Sequence, residues 1–169
     1  MPRGVFFNTI IMIQFTQEEF DTIKAGGEQL YKTFSSVYCP YFKAKIAFNA
    51  QGMEHLKFKS RGTARSHQDQ FMRFKLIKLA PLILSASGTL QGIWETKGFE
   101  RVRMHSRTES VLLPVNYYEF TAVIKRNRAK IIIKQINMGE LYFWSLIPFW
   151  GMNTQTMERI LHDGDLEND

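Results

Sequence analysis

Between residues 94 and 147 the chain holds four segments rich in β-branched and aromatic residues, 94–107, 116–125, 130–136 and 141–147. The last two links between them, with turns at Arg126-Asn127-Arg128 and Asn137-Met138-Gly139-Glu140, are only four residues long each. A parallel crossover needs about a dozen residues or more, whereas a hairpin closes in two to five. This half of the chain is therefore expected to be an antiparallel meander, which excludes both a helical bundle and a doubly wound parallel sheet.

The first half supplies what must cover that sheet. Thr16-Gln17-Glu18-Glu19 has the spacing of a capping box, so a helix is expected from Gln17, with Phe20, Ile23, Leu30, Tyr31 and Phe34 on its buried side. Gly26-Gly27 is a point where it would kink or split, and its end is placed near Ser35-Ser36. Residues 41–48 alternate Phe42, Ala44, Ile46 and Phe48 with Tyr41, Lys43 and Lys45, a half-buried strand with its lysines outward. Ser66-His67-Gln68-Asp69 opens a second helix carrying Phe71, Phe74, Leu76 and Leu79. Pro81 is expected to end or bend it, with one further turn through Leu84 and a stop at Ser87-Gly88. A further strand is read at residues 5–15. The fold class is α+β, an antiparallel sheet of four to five strands with the N-terminal helices packed on one face. Residues 1–152 read as a single domain, with 1–41 an N-terminal strand-helix extension and 153–169 an acidic tail.

Cys39 is the single cysteine, so neither an internal disulfide nor a multi-cysteine zinc site is expected. The sequence has no GxxxxGK[ST], GxGxxG or HExxH run, so no cofactor or metal is expected. The apolar stretch 5–15 is broken by Asn8, Thr9 and Gln14 and followed by acids, unlike a signal peptide. No run reaches the roughly 18 apolar residues of a spanning helix, so the chain reads as cytoplasmic, with no membrane partner.

Charge is distributed unevenly. Residues 43–134 hold 18 basic and six acidic side chains, whereas 135–169 hold one and six. So basic a block points to a polyanion, nucleic acid before membrane, or else to a solvated surface. Within it, Arg101, Arg103, His105 and Arg107 alternate with Val102 and Met104, and a strand would place the cations in one row. Lys125, Lys130 and Lys134 on neighbouring strands would extend that row into a phosphate-binding face; alternatively Glu109 and Glu119 neutralise it. Lys57, Lys59, Arg61 and His67 lie in the stretch 57–78, where Asp69 is the only acid. They complete the candidate RNA-binding set, His67 at the free N–H groups of a helix start. His55, in Gly52-Met53-Glu54-His55-Leu56-Lys57 just past the strand 41–48, is the candidate proton-transfer group, with a purely structural histidine as the alternative.

Gly52-Met53-Glu54-His55-Leu56, Arg65, Leu79-Ala80-Pro81-Leu82-Ile83-Leu84 and the polar sheet positions, in this order, resemble the barnase/EndoU/colicin/RelE-like nucleases, closest to their phage and mobile-element branches. The resemblance spans residues 42–148, and the first forty residues fall outside it. It implies RNA cleavage without metal, often in a toxin or effector, and gives His55, Arg65, Arg107, Thr108 and Lys134 as site residues. Together with the residue pattern, this leads to the expectation of a metal-independent endoribonuclease acting through 2′-OH transesterification. His55 would serve as base or acid with His105 as its partner, and Arg65, Arg103, Arg107 and Lys134 would stabilise the phosphorane. The partner would be RNA, with tRNA, mRNA and rRNA not distinguished, and an acidic antitoxin or immunity protein could neutralise it. The alternatives are a non-catalytic RNA- or DNA-binding module using the same cations, and a protein-interaction domain with an acidic partner.

Overall fold

The computed structural model describes residues 14–59 and 62–148. The expected strand at 5–15 falls almost entirely outside them, with Gln14 and Phe15 in no regular element, and the acidic tail and Arg61 also lie outside the described residues.

Helix α1, Gln17–Phe34, starts as its sequence dictates: the Thr16 hydroxyl accepts from the Glu19 N–H at 3.1 Å, and the Glu19 carboxylate accepts from the Thr16 N–H at 2.7 Å. It runs unbroken through Gly26-Gly27, and packing explains why. A Cβ on Gly27 would lie 2.7 Å from Cδ1 of Phe74, whereas one on Gly26 would meet nothing within 4 Å. Gly27 is thus what lets α1 approach helix α3, His67–Leu76. Gly27→Ala is expected to cost about 1–3 kcal/mol by overpacking, and Gly26→Ala to add about 0.5–1 kcal/mol; denaturant midpoints should move in opposite directions.

The reading of residues 35–48 needs correction. Ser36–Cys39 is a strand, β1, paired antiparallel with Ala44–Ala47, β2, and residues 40–43 form the turn between them. Pro40 has no N–H to give a ladder, and Lys43 adopts φ 51°, so the strand expected from residue 41 begins at Ala44. A short helix follows, α2, Ala50–Lys57, with the Asn49 side chain capping it by accepting from the Gly52 N–H at 3.1 Å. After α3 the chain breaks at Ile77-Lys78, before Pro81 rather than at it. A proline ring clashes with the carbonyl four residues back, here Ile77, but is tolerated in a first turn, so a new helix, α4, Leu79–Ala86, begins with Pro81 as its third residue.

The expected meander is present: β3 (Gly92–Met104), β4 (Arg107–Ile124), β5 (Asn127–Ile136) and β6 (Leu141–Pro148) pair antiparallel in sequence order. With the β1–β2 hairpin joined to β6 by the parallel pair Ala47↔Tyr142, the sheet has six strands in the order β1-β2-β6-β5-β4-β3. The segment 94–107 is not one strand, because the chain turns at His105-Ser106 with His105 at φ 55° and Arg107 begins β4. Residues 108–115, read as a link, are strand throughout.

Four successive residues of β5, Ile131 to Lys134, are buried, which shows that both sheet faces are covered. Ile131 and Ile133 join Phe120, Phe143 and Leu146 under Tyr31, Phe74, Leu79 and Ile83 from the helices. Ile132 belongs to a smaller cluster with Val115, Tyr117 and Ile147, edged by Trp144. Pairing of β4 with β5 starts at Val115↔Ile136, so residues 97–104 and 107–114 form a two-stranded ribbon beyond the body of the sheet. Among the described residues no helix is long and apolar enough to cross a membrane.

Candidate active site

His55, placed by the sequence just past a strand, is carried by helix α2, whose seat depends on Gly52. A side chain there would collide with the Phe143 carbonyl oxygen and the Tyr31 hydroxyl. Tyr31 of α1 in turn donates to the Asn49 carbonyl at 2.8 Å, so the N-terminal turn of α2 is held between α1 and β6. Burial pushes the Tyr31 phenol well above its ordinary range and keeps it a donor. One turn further along, the His55 ring stacks on the Trp144 indole, centroids 4.1 Å apart. Gly52→Ala is therefore expected to lift α2 off β6, lowering stability by about 1–3 kcal/mol and any chemistry at His55 by about 10²-fold; melting and turnover measured together check this.

Behind His55 stands Arg65, only 2% exposed. Its Nε donates to the His55 carbonyl at 2.9 Å, satisfying an oxygen in the last turn of α2, and one terminal nitrogen lies 3.5 Å from both ring nitrogens. Its other terminal nitrogen donates to Asp69 at 3.2 Å. The second Asp69 oxygen accepts from Arg73 Nε at 2.7 Å, and Arg73 reaches the Ser145 hydroxyl of β6 at 2.6 Å. A continuous hydrogen-bonded chain thus runs Ser145–Arg73–Asp69–Arg65–His55 and locks α2 and α3 onto β6.

Lys134 of β5 also meets Trp144. It is 6% exposed, its Nζ lies 4.3 Å from the indole centroid and 5.7 Å from the Tyr117 ring, and it pairs with Glu100 at 2.8 Å. By register Lys134 is opposite Tyr117, itself opposite Trp94, six residues from Glu100. That is roughly 20 Å along a flat strand, so the contact requires the ribbon to curl over this face. A cavity of about 460 Å³ results, lined by His55, Lys134, Trp144, Glu54, Glu100 and Gln51 among others. The indole N–H of Trp144, which lines it, is buried without a hydrogen-bond partner, as is the hydroxyl of Tyr142, whose ring meets Trp144 edge-on at 6.3 Å. The Tyr142 phenol is pushed well above its ordinary range by burial and, secondarily, by the charge of Glu100 and by Tyr117.

Of the candidate catalytic residues, His55 and Lys134 are brought together, with Arg65 behind them. His105, Arg107 and Thr108 sit at the exposed ribbon tip and do not line the cavity. The cationic row is also broken. Arg101 pairs with Ser110 and Arg103 with Thr108, but Arg107 pairs with Met104, and cross-strand partners share a face. Arg107 therefore points to the side opposite Arg101 and Arg103. Lys130 and Lys134 are also on that opposite side and do not extend the row; Lys130 bonds to Glu119 at 2.9 Å. Lys125 lies in the β4–β5 turn at φ 48°. Lys57 is held by Glu54 at 3.0 Å and Glu28 at 3.7 Å, Lys59 lines the cavity, and His67 stacks on Phe20 at 4.3 Å.

Comparison with family models, curated proteins and solved structures finds no match. Among the described residues there is no group of three or more His, Cys, Asp or Glu side chains placed to hold a metal ion. Trp144, Glu100, Arg73 and Ser145 are the residues of this site that the sequence reading left out. Asp69 carried a signal, as the lone acid among seven Lys and Arg side chains in residues 57–78. Trp144 carried little, because the run Tyr142-Phe143-Trp144 reads as a covered strand. The register shift between Ile132 and Ile133, opposite Trp144, is not visible in periodicity.

Proposed function

We propose that this chain is an endoribonuclease that opens the phosphodiester by attack of the neighbouring 2′-hydroxyl, with the cavity between α2, β5, β6 and the ribbon as its site. One observation carries the reading: His55 and Lys134, both buried and from distant parts of the chain, converge on Trp144 and line a single cavity. The ammonium is balanced by Glu100 and the indole face, and an imidazole and a cation converging on one open cleft are useful where a proton and a negative charge must be handled. In the proposed reaction His55 takes the proton of the 2′-hydroxyl as that oxygen bonds to phosphorus, and returns it to the 5′-oxygen as the bond from phosphorus to that oxygen breaks. Lys134 stabilises the charge on the non-bridging oxygens. Arg65 orients the imidazole through the backbone carbonyl of the same residue. The nuclease resemblance of residues 42–148 supports the same reaction, and with it a toxin- or effector-like role.

Incubating end-labelled RNA with substoichiometric protein in EDTA tests this. New ends carrying 2′,3′-cyclic phosphate and 5′-hydroxyl are expected, and Lys134→Ala should lower their rate of appearance by about 10²–10³. A mobility shift without new ends would favour the RNA-binding alternative.

A further inference from the structure

The ribbon carries a second feature, which the cavity does not use. Alternation puts Lys97, Phe99, Arg101 and Arg103 of β3 on one face, with Thr108, Ser110, Leu112 and Pro114 of β4 across from them. The ribbon's carboxylates, Glu100 and Glu109, are on the other face, with Arg107. Its charges are thus segregated: three cations and no acid on the outward face, both acids inward, where Glu100 meets Lys134. Phe99 is 75% exposed and its partner Leu112 51% exposed, between Lys97 and the two arginines. Charges on an edge strand are a common guard against strand pairing, but that role explains neither the segregation nor a phenylalanine displayed at its centre.

We infer that this outward face is a second contact for the substrate, and that it selects single-stranded RNA. Lys97, Arg101 and Arg103 hold successive phosphates while Phe99 stacks on a base. The inference rests on the nuclease reading for the word substrate, and deepens it. The choice of single strand follows from chemistry. A stacking platform can engage only a base free of its neighbours, and a duplex hides those faces, offering phosphates and groove edges alone. Spanning about 25 Å over eight residues, the ribbon is long enough to contact several nucleotides beyond those in the cavity.

The test compares single-stranded and duplex RNA of about 12 nucleotides, a length within the range of single-strand sites. The single strand should bind more tightly, and Phe99→Ala should weaken it roughly 5- to 100-fold. Arg101→Ala and Arg103→Ala should each flatten the dependence of log affinity on log salt by about 0.7. A dinucleotide, which reaches only the cavity, should be turned over by Phe99→Ala at the wild-type rate. Because Phe99 is exposed, the variant keeps the fold. Equal binding of duplex and single strand, or an unchanged affinity in Phe99→Ala, would overturn the inference. If no RNA is cleaved but binding follows the stated pattern, the nuclease reading fails and the single-strand contact stands.

Discussion

His55→Ala is expected to lower RNA turnover by about 10²–10⁴, the range for removing one acid–base group, whereas His105→Ala should turn over at the wild-type rate. The sequence offers both histidines for proton transfer, His55 as base or acid and His105 as its partner. The structure separates them: His55 is buried in the cavity wall against Trp144, and His105 occupies an exposed hairpin turn. The His55 variant should remain folded, because Arg65 Nε donates to the backbone carbonyl of residue 55 and that oxygen survives the substitution. Thermal melting should therefore change far less than the rate, and RNA affinity, carried by cations elsewhere, should change little. A pair of rate assays with a melting control decides the matter. Loss in His105→Ala alone would move the chemistry to the ribbon tip, equal loss in both would make the two histidines partners, and no loss in either would leave the binding module as the reading.

What the sequence makes legible here is set by range. The Thr16 capping box, the Ser66 cap and the β-branched run of β5 are decided by residues close in sequence, and each element appears where it was expected. Boundaries that depend on partners were not legible. Gly26-Gly27 looks like a break until Phe74 of another helix is found against Gly27. The segment 94–107 looks like one strand because His105 can adopt a positive φ that propensity assigns to glycine, so a turn without glycine or proline passes unseen. That single displaced turn also misplaced Arg107, since a one-residue change of position moves a side chain to the other face. His55 and Lys134 were identifiable as residue types worth watching. Their meeting was not, because it needs the β5–β6 pairing, the seat of α2 under Gly52 and the curl of the ribbon together.

The largest effect on stability is expected at Asp69. Arg65 and Arg73, each with a side chain 1% exposed, share this one carboxylate at 3.2 and 2.7 Å, and Asp69 itself is 22% exposed. A guanidinium out of water depends on such an anion, and removing one partner of a buried pair costs about 3–5 kcal/mol, more than the pair contributes relative to an apolar replacement. For a chain of this size each kcal/mol lowers the melting temperature by about 2–4 °C, so Asp69→Ala should melt roughly 6–20 °C below wild type. Asp69→Asn keeps the shape and one acceptor but not the charge, and should fall between the two. Ser145→Ala removes the hydroxyl that accepts from Arg73 and leaves the Asp69 carboxylate in place, and should cost about 1–3 kcal/mol. The order of melting temperatures, wild type above Ser145→Ala above Asp69→Ala, separates charge compensation from simple packing. If Asp69 merely filled space, Asp69→Asn would melt with wild type. Function should follow by a different route: Asp69→Asn loosens Arg65 and so the carbonyl and ring of His55, lowering turnover even at temperatures where the protein is fully folded. Measuring the rate well below the melting transition isolates that positioning effect from the loss of folded enzyme.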